Sequence, residues 1–278
     1  MATLTWTGGG DGTTFTASAN WGGTAPSNDD TLIINSTNKA IAGAATGLTG
    51  ITLRVGPGFT GTLGSSTTYL DLDGPLLEFS AAGPGHYLTG TWTDVRFLGG
   101  SGSSEYVYLK GNASTVITNL SSNRLIGTIH VAASASVTNV KMIGSPSGVY
   151  DIAKNVSSIA SVIAGEGLIK IGSNATTVEV VGGQVETLNA ATFTTVEVDG
   201  NGDFDHRSSG TITTLNVYEG TFTHVQNETA GFTITNASVY SGGAIRGDGV
   251  LNNVTYTNGI NMRGGTATVP VGSTISLS

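Results

Sequence analysis

The densest group of side chains able to do chemistry is Asp199-Gly-Asn201-Gly-Asp203-Phe-Asp205-His206-Arg207. Oxygen donors fall on every second residue: Asp199, Asn201, Asp203 and Asp205. Calcium takes about six to eight oxygens, so this spacing makes Ca2+ the one cofactor for which the chain offers a metal site. The run follows the first half of an EF-hand-type loop and then departs from it. Phe204 stands where that loop turns on glycine, and Gly210 stands where it closes on glutamate. The same residues also admit a catalytic reading. Asp203 and Asp205 would act as acid and base on a polysaccharide, with His206 or Arg207 orienting the sugar. A solvated corner with outward carboxylates accounts for them without any chemistry.

Other candidates are thinner. Asp71 and Asp73 alternate on one strand and share a face. His86, His130, His206 and His224 have no zinc-like spacing, and His224, which shares a face with Phe222, reads as a surface or partly buried ladder residue. Gly100-Ser-Gly102 lacks the rest of a nucleophile elbow, and Gly247-Asp-Gly249 is too short for a dinucleotide motif. Tyr106, Tyr108, Tyr218, Tyr240 and Tyr256 fit either a lateral groove or a ladder inside the fold. Trp6 and Trp21 either cover one end of a core or stack on sugar.

The elements that position these residues come from a repeat. An apolar residue, two residues from Thr, Ser or Asn, and a second apolar residue recur eight times between 112 and 264. The copies are Ile117–Leu120, Val137–Val140, Val156–Ile159, Ala175–Val178, Phe193–Val196, Ile212–Leu215, Ile234–Ala237 and Leu251–Val254. They follow one another at a near-constant step of about 19 residues, which marks a stacked repeat. Alternating β-branched residues follow each copy, then a Gly- or Asn-rich break, so the units are short strands with tight corners. Leu48–Ile51 and Trp92–Val95 echo the phrase at a wider step. The expected fold is all-β: a right-handed parallel β-helix, or β-solenoid, of about ten coils of roughly 19–22 residues. The expected layout is an N-terminal cap or attachment segment at 1–38, a solenoid at 39–266 and a C-terminal strand or tail at 267–278. Pro270 marks an edge position in that tail.

Composition narrows the function classes. Only 11% of residues are charged, against about 25% in ordinary domains. The net charge is −8 and the basic residues are scattered, which argues against nucleic acid. There is no cysteine, and no apolar run reaches the length of a membrane span. Met1–Trp6 has no basic segment leading into an apolar core, so no signal peptide is expected. Sequons from Asn35 to Asn253 read as polar ladder residues.

Asn20-Trp21-Gly22-Gly23, Pro26 and Asp30-Thr-Leu-Ile-Ile34 resemble the opening of many bacterial and phage β-helix surface proteins. The resemblance is confined to Asn20–Ile34 and implies an exposed solenoid: a virion decoration, fibre, tailspike or adhesin. The leading expectation is a non-enzymatic structural protein of a bacteriophage particle. It would be located in the virion as a homotrimer, against partners such as the capsid. The alternatives are a spike that binds or degrades cell-surface polysaccharide, and a bacterial surface adhesin module.

Overall fold

The computed structural model describes residues 1–278 except 43–46, 81–85, 99–105, 111–113, 124–125, 132–135, 145–146, 153–158, 225–230, 248–253, 271 and 277–278. The chain is an all-β parallel β-solenoid. From Leu70–Asp71 to Ala244–Gly247 successive strands alternate between two sheets, so each strand's neighbours are its counterparts one turn before and one turn after. The one helical element among the described residues is a 3-10 turn at Ser18–Trp21. The chain divides into two compact units. One is Met1–Thr138 with Ser147–Asp151, the other Asn139–Pro146 with Ile152–Ser278.

In the first unit one buried file runs Leu4, Leu32, Leu53, Leu77, Val95, Leu120. In the second the matching file is Val140, Val162, Val178, Val196, Leu215, Ala237, Ile260. Each member stands one strand spacing, about 4.8 Å, from the next. Full burial of such a side chain contributes about 1.5–3 kcal/mol, so the files are the main source of stability.

The register corrects the sequence reading in three places. Val140 pairs with Val162, so the phrase in that coil is Ile159-Ala-Ser-Val162, and Ile159 is its first residue instead of its last. Val156–Ser158 of the expected copy lie outside the described residues. Val254 pairs with Phe232 and Tyr256 with Ile234, so Leu251–Val254 is not the counterpart of Ile234–Ala237. In the first unit Leu53, not Ile51, stands beside Leu77, whereas Trp92 and Val95 do pair with Ile117 and Leu120. The step along the two files is shortest from Val162 to Val178 and longest from Leu4 to Leu32, a wider spread than the repeat suggests. The strands hold register while corner length varies, because closing a longer loop costs little. Gly83-Pro-Gly-His86 and Gly99–Ser104 read from the sequence as corner loops; residues 83–85 and 99–104 lie outside the described residues, and His86 instead opens the strand His86–Thr89.

Inner and outer faces follow strand parity except across the two middle polar residues, where the alternation breaks. In Ala175–Val180, Phe193–Val198 and Ile212–Val217 the first, fourth and sixth residues are buried. Both middle polar residues, as in Thr176 and Thr177, remain on the outside. Corners demand glycine where strands crowd. A Cβ on Gly210 would lie 1.9 Å from the Ala191 carbonyl oxygen. Gly210→Ala is therefore expected to lower the thermal midpoint clearly. Gly165→Ala, whose nearest neighbour is the flexible Cγ1 of Ile143 at 3.2 Å, should change it little. Phe222→Ala should cost about 3–5 kcal/mol in urea denaturation.

Candidate functional site

Asp199 follows the strand Phe193–Val198 and begins a corner. Gly200 and Asn201 have positive φ, 55° and 65°, and the amide of Gly202 donates to the Asp199 carbonyl at 2.8 Å. The Asp199 carboxylate accepts from the Gly200 amide at 2.8 Å. The Gly-Asn-Gly run is thus a tight turn that passes the chain from one sheet to the other.

The strand Asp203–His206 then sends its residues to opposite faces. Asp203 and Asp205 point outward, while Phe204 and His206 are fully buried. Asp203 stands between Gln184 and Thr221, and Asp205 between Glu186 and Thr223. Gln184 Nε2 donates to Asp205 Oδ2 at 2.8 Å, and Arg207 pairs with Glu186 at 3.2 Å. Burial pushes the Asp203 carboxyl above its ordinary range, the Asp205 carboxylate adds to this, and Arg246 opposes it.

Two expectations change here. His206 cannot orient a sugar for Asp203 and Asp205, because it lies on the other side of the sheet. The oxygens of Asp199, Asn201, Asp203 and Asp205 are not gathered around one point. An extended strand advances about 3.3 Å per residue, whereas calcium ligands must lie about 2.3–2.6 Å from one ion. Among the described residues, no three His, Cys, Asp or Glu side chains form a group that could hold a metal ion.

The inward residues form a cluster that the motif search missed. His206 pairs with His224 in register, beside Phe204 on Phe222 at 5.5 Å. Phe232 meets His206 at 4.4 Å and His224 at 5.1 Å. The hydroxyl of Thr187 accepts from the amides of Arg207 and Ser208 at 2.9 and 3.1 Å. Its single proton is then left for His206 Nδ1, 3.2 Å away. This makes Nε2 the protonated nitrogen of His206, donating to the Gly210 carbonyl at 3.4 Å. Burial lowers the pKa of His206 to about 3, with His224 adding to the shift, and burial lowers His224 to about 3. His224 Nε2 and the Tyr256 hydroxyl are 2.6 Å apart. His224, read as a surface or partly buried residue, is thus in the core. The signal was present: the spacing from Phe204 to Phe222 equals that from His206 to His224. His86 is likewise buried, stacked on Phe79 at 4.9 Å, with burial lowering its pKa to about 4. The side chain of His130 is outside the described set.

At the N-terminus, Trp6 and Trp21 are 1% and 3% exposed and meet edge to face at 5.1 Å. So little ring surface reaches solvent that neither stacks on a sugar. Asn20, fully buried, holds the loop beside them. Its Oδ1 accepts from the Gly10 and Gly12 amides, and its Nδ2 donates to Asp11 and to the Thr14 carbonyl. Asp30 accepts from the Ala2 amide and from the amide and hydroxyl of Ser27. Burial raises its pKa, but these bonds and the nearby N-terminal ammonium outweigh that and leave it below the ordinary value.

Tyr218 and Tyr240 stack outside at 4.6 Å, with the Arg263 guanidinium 5.3 Å from the Tyr240 ring centre. Each ring thus covers one face of the other, and the guanidinium lies over the Tyr240 ring. Tyr256 is inside and pairs with Ile234, so it does not continue the Tyr240 file. The side chains of Tyr106 and Tyr108 are not among those described. Asp71 and Asp73 flank buried Leu72 and share the outer side, as expected.

Among the described residues, no helix is long and apolar enough to cross a membrane. No protein-family model matches the chain, and neither the curated proteins nor the solved structures contain a match to it.

The buried groups set the pH response. His86, His206 and His224 have folded pKa values below their unfolded value of about 6.5, so folding favours the neutral form. Their contribution is fully present above about pH 6.5 and declines as pH falls below it, by up to about 1.4 kcal/mol per pH unit for each. For Asp30 the folded value is depressed. Its contribution is present above about pH 4 and is lost as pH falls further. Urea midpoints should therefore be level from pH 8 to 7 and decline between pH 6 and 4. In the double variant His206→Phe/His224→Phe that decline should be visibly shallower. Asn20→Ala leaves buried partners unmatched and should cost about 3 kcal/mol by the same measurement.

Proposed function

We propose that this chain is a non-enzymatic structural protein of a bacteriophage particle, a capsid decoration or fibre acting as a homotrimer. The observation that carries this reading is the use to which the N-terminal motif is put. The residues that resemble phage and bacterial surface solenoids, Asn20, Trp21 and Asp30, are buried and knit the chain's first loop to its first strands. Their role is architectural. The candidate groups for chemistry support the same view, since His206 is a core residue and the outward carboxylates have hydrogen-bond or ionic partners on their own sheet. Neutral outer files such as Thr177, Thr195, Thr214 and Asn236 supply flat lateral faces for sister subunits.

The test is location. Particles purified on a density gradient from the strain that carries the gene should contain the chain in fixed ratio to the major capsid protein. Recovery only in the soluble or cell-wall fraction would overturn the assignment. One observation favours a second reading, a polysaccharide-degrading spike: the raised pKa of Asp203 beside Asp205. On that reading Asp203→Asn abolishes depolymerisation of host surface glycan. On the structural reading the wild-type protein shortens no glycan at all.

A further inference from the structure

His206 and His224 are neighbours in one inner file, in register and one strand spacing apart, about 4.8 Å. Phe232 touches both rings, and Phe222 lies 6.0 Å from His206 and 5.0 Å from His224. Each imidazole can take up a proton only at the expense of what surrounds it.

At His206 the receiving nitrogen is Nδ1. It accepts the proton of the Thr187 hydroxyl, whose oxygen already holds the amides of Arg207 and Ser208. A proton on Nδ1 turns this acceptor into a donor. Two donors then face each other, and Thr187 loses its place against the corner at 207–210. The same corner is tied down by the Gly210 carbonyl on His206 Nε2 and by the Ser208 hydroxyl on the Ala191 carbonyl. At His224, Nε2 lies 2.6 Å from the Tyr256 hydroxyl, and Nδ1 has no hydrogen-bond partner. An imidazolium carries a donor on both nitrogens, so the one on Nδ1 would meet no acceptor.

No counter-charge stands inside. Of the titratable groups on the surrounding strands, Tyr256 alone faces inward with the imidazoles, and its hydroxyl is neutral in acid. Glu186, Glu197, Asp203, Asp205, Tyr240 and Arg246 alternate to the outer side, where Arg207 reaches Glu186. Among the described residues of the second unit no carboxylate is buried. A charge on one imidazole also opposes a charge on the other.

We infer that the coils carrying His206 and His224 form an acid-operated latch. They stay closed while both imidazoles are neutral, and in acid they open as one step that takes up two protons, ahead of the first unit. The first unit has one buried histidine among its described side chains, His86, so it responds less steeply. The latch is a local opening, distinct from the loss of the whole fold, and it is independent of the virion reading.

Hydrogen exchange of the whole chain, read by mass spectrometry and corrected for the intrinsic effect of pH, tests this. An imidazole freed by opening takes up a proton at about pH 6.5, so each one multiplies opening about tenfold per pH unit below that value. Opening should be level from pH 8 to 7. Between pH 5.5 and 4.5 it should rise about 100-fold in peptides covering 203–210 and Thr221–His224. Peptides covering Thr52–Val55 and Gly74–Phe79 should rise at most about tenfold. Return to pH 7 should restore protection. His224→Gln keeps a partner for the Tyr256 hydroxyl but does not titrate, and it should cut the rise in the second unit to about tenfold. The wild-type comparison stands even if that variant does not fold. An equal rise in both units, a wild-type rise of about tenfold or less around the two histidines, or an unaltered rise in His224→Gln would each overturn the proposal.

Discussion

In a parallel stack a strand's backbone groups are completed only by the strands one turn before and one turn after it. That constraint fixes register, and register decides the rest of this molecule. Once Val178, Val196 and Leu215 are aligned in one file, the residues that follow them on those strands are assigned to the core or to the outside by parity. Insertions can enter only at corners. The chain accordingly varies its step while leaving the files of Val, Leu and Ile unbroken.

Parity also explains how the most suggestive stretch of sequence divides. Asp203 and Asp205 stand in two outer files, one with Gln184 and Thr221 and the other with Glu186 and Thr223, while Phe204 and His206 are committed to an aromatic interior. The imidazoles have neutral partners in hydroxyls, a carbonyl and aromatic rings, and burial holds them uncharged. Histidine serves here as a flat, aromatic core residue able to satisfy the polar turn of Thr187 and Gly210. The cost is a fold whose stability depends on the imidazoles remaining neutral.

The two ends of the chain solve the problem of an open core differently. At the N-terminus buried Trp6, Phe15 and Trp21 are packed edge to face, and Asn20 and Asp30 tie down the loop around them. At the C-terminus the files of Val239 and Tyr256 continue into Met262 and Ile275, which water still reaches.

Local periodicity was enough to determine the fold class. Repeated Thr-Thr and Thr-Asn pairs between apolar residues, β-branched alternation and Gly-rich breaks specify parallel coils wherever they occur, because each signal is local. The pairing of Trp92 with Ile117 was legible in this way. Tertiary structure alone decided the register of Ile159–Val162 and Val254–Tyr256, where corner lengths change and counting a mean step slips out of phase. It also decided that His206 and His224 meet, that Asp199, Asn201, Asp203 and Asp205 stay apart, and that Tyr240 and Tyr256 face opposite ways. These outcomes depend on which strand lies beside which. That is a matter of hydrogen bonds between residues a full coil apart, not of the neighbours each residue has along the chain.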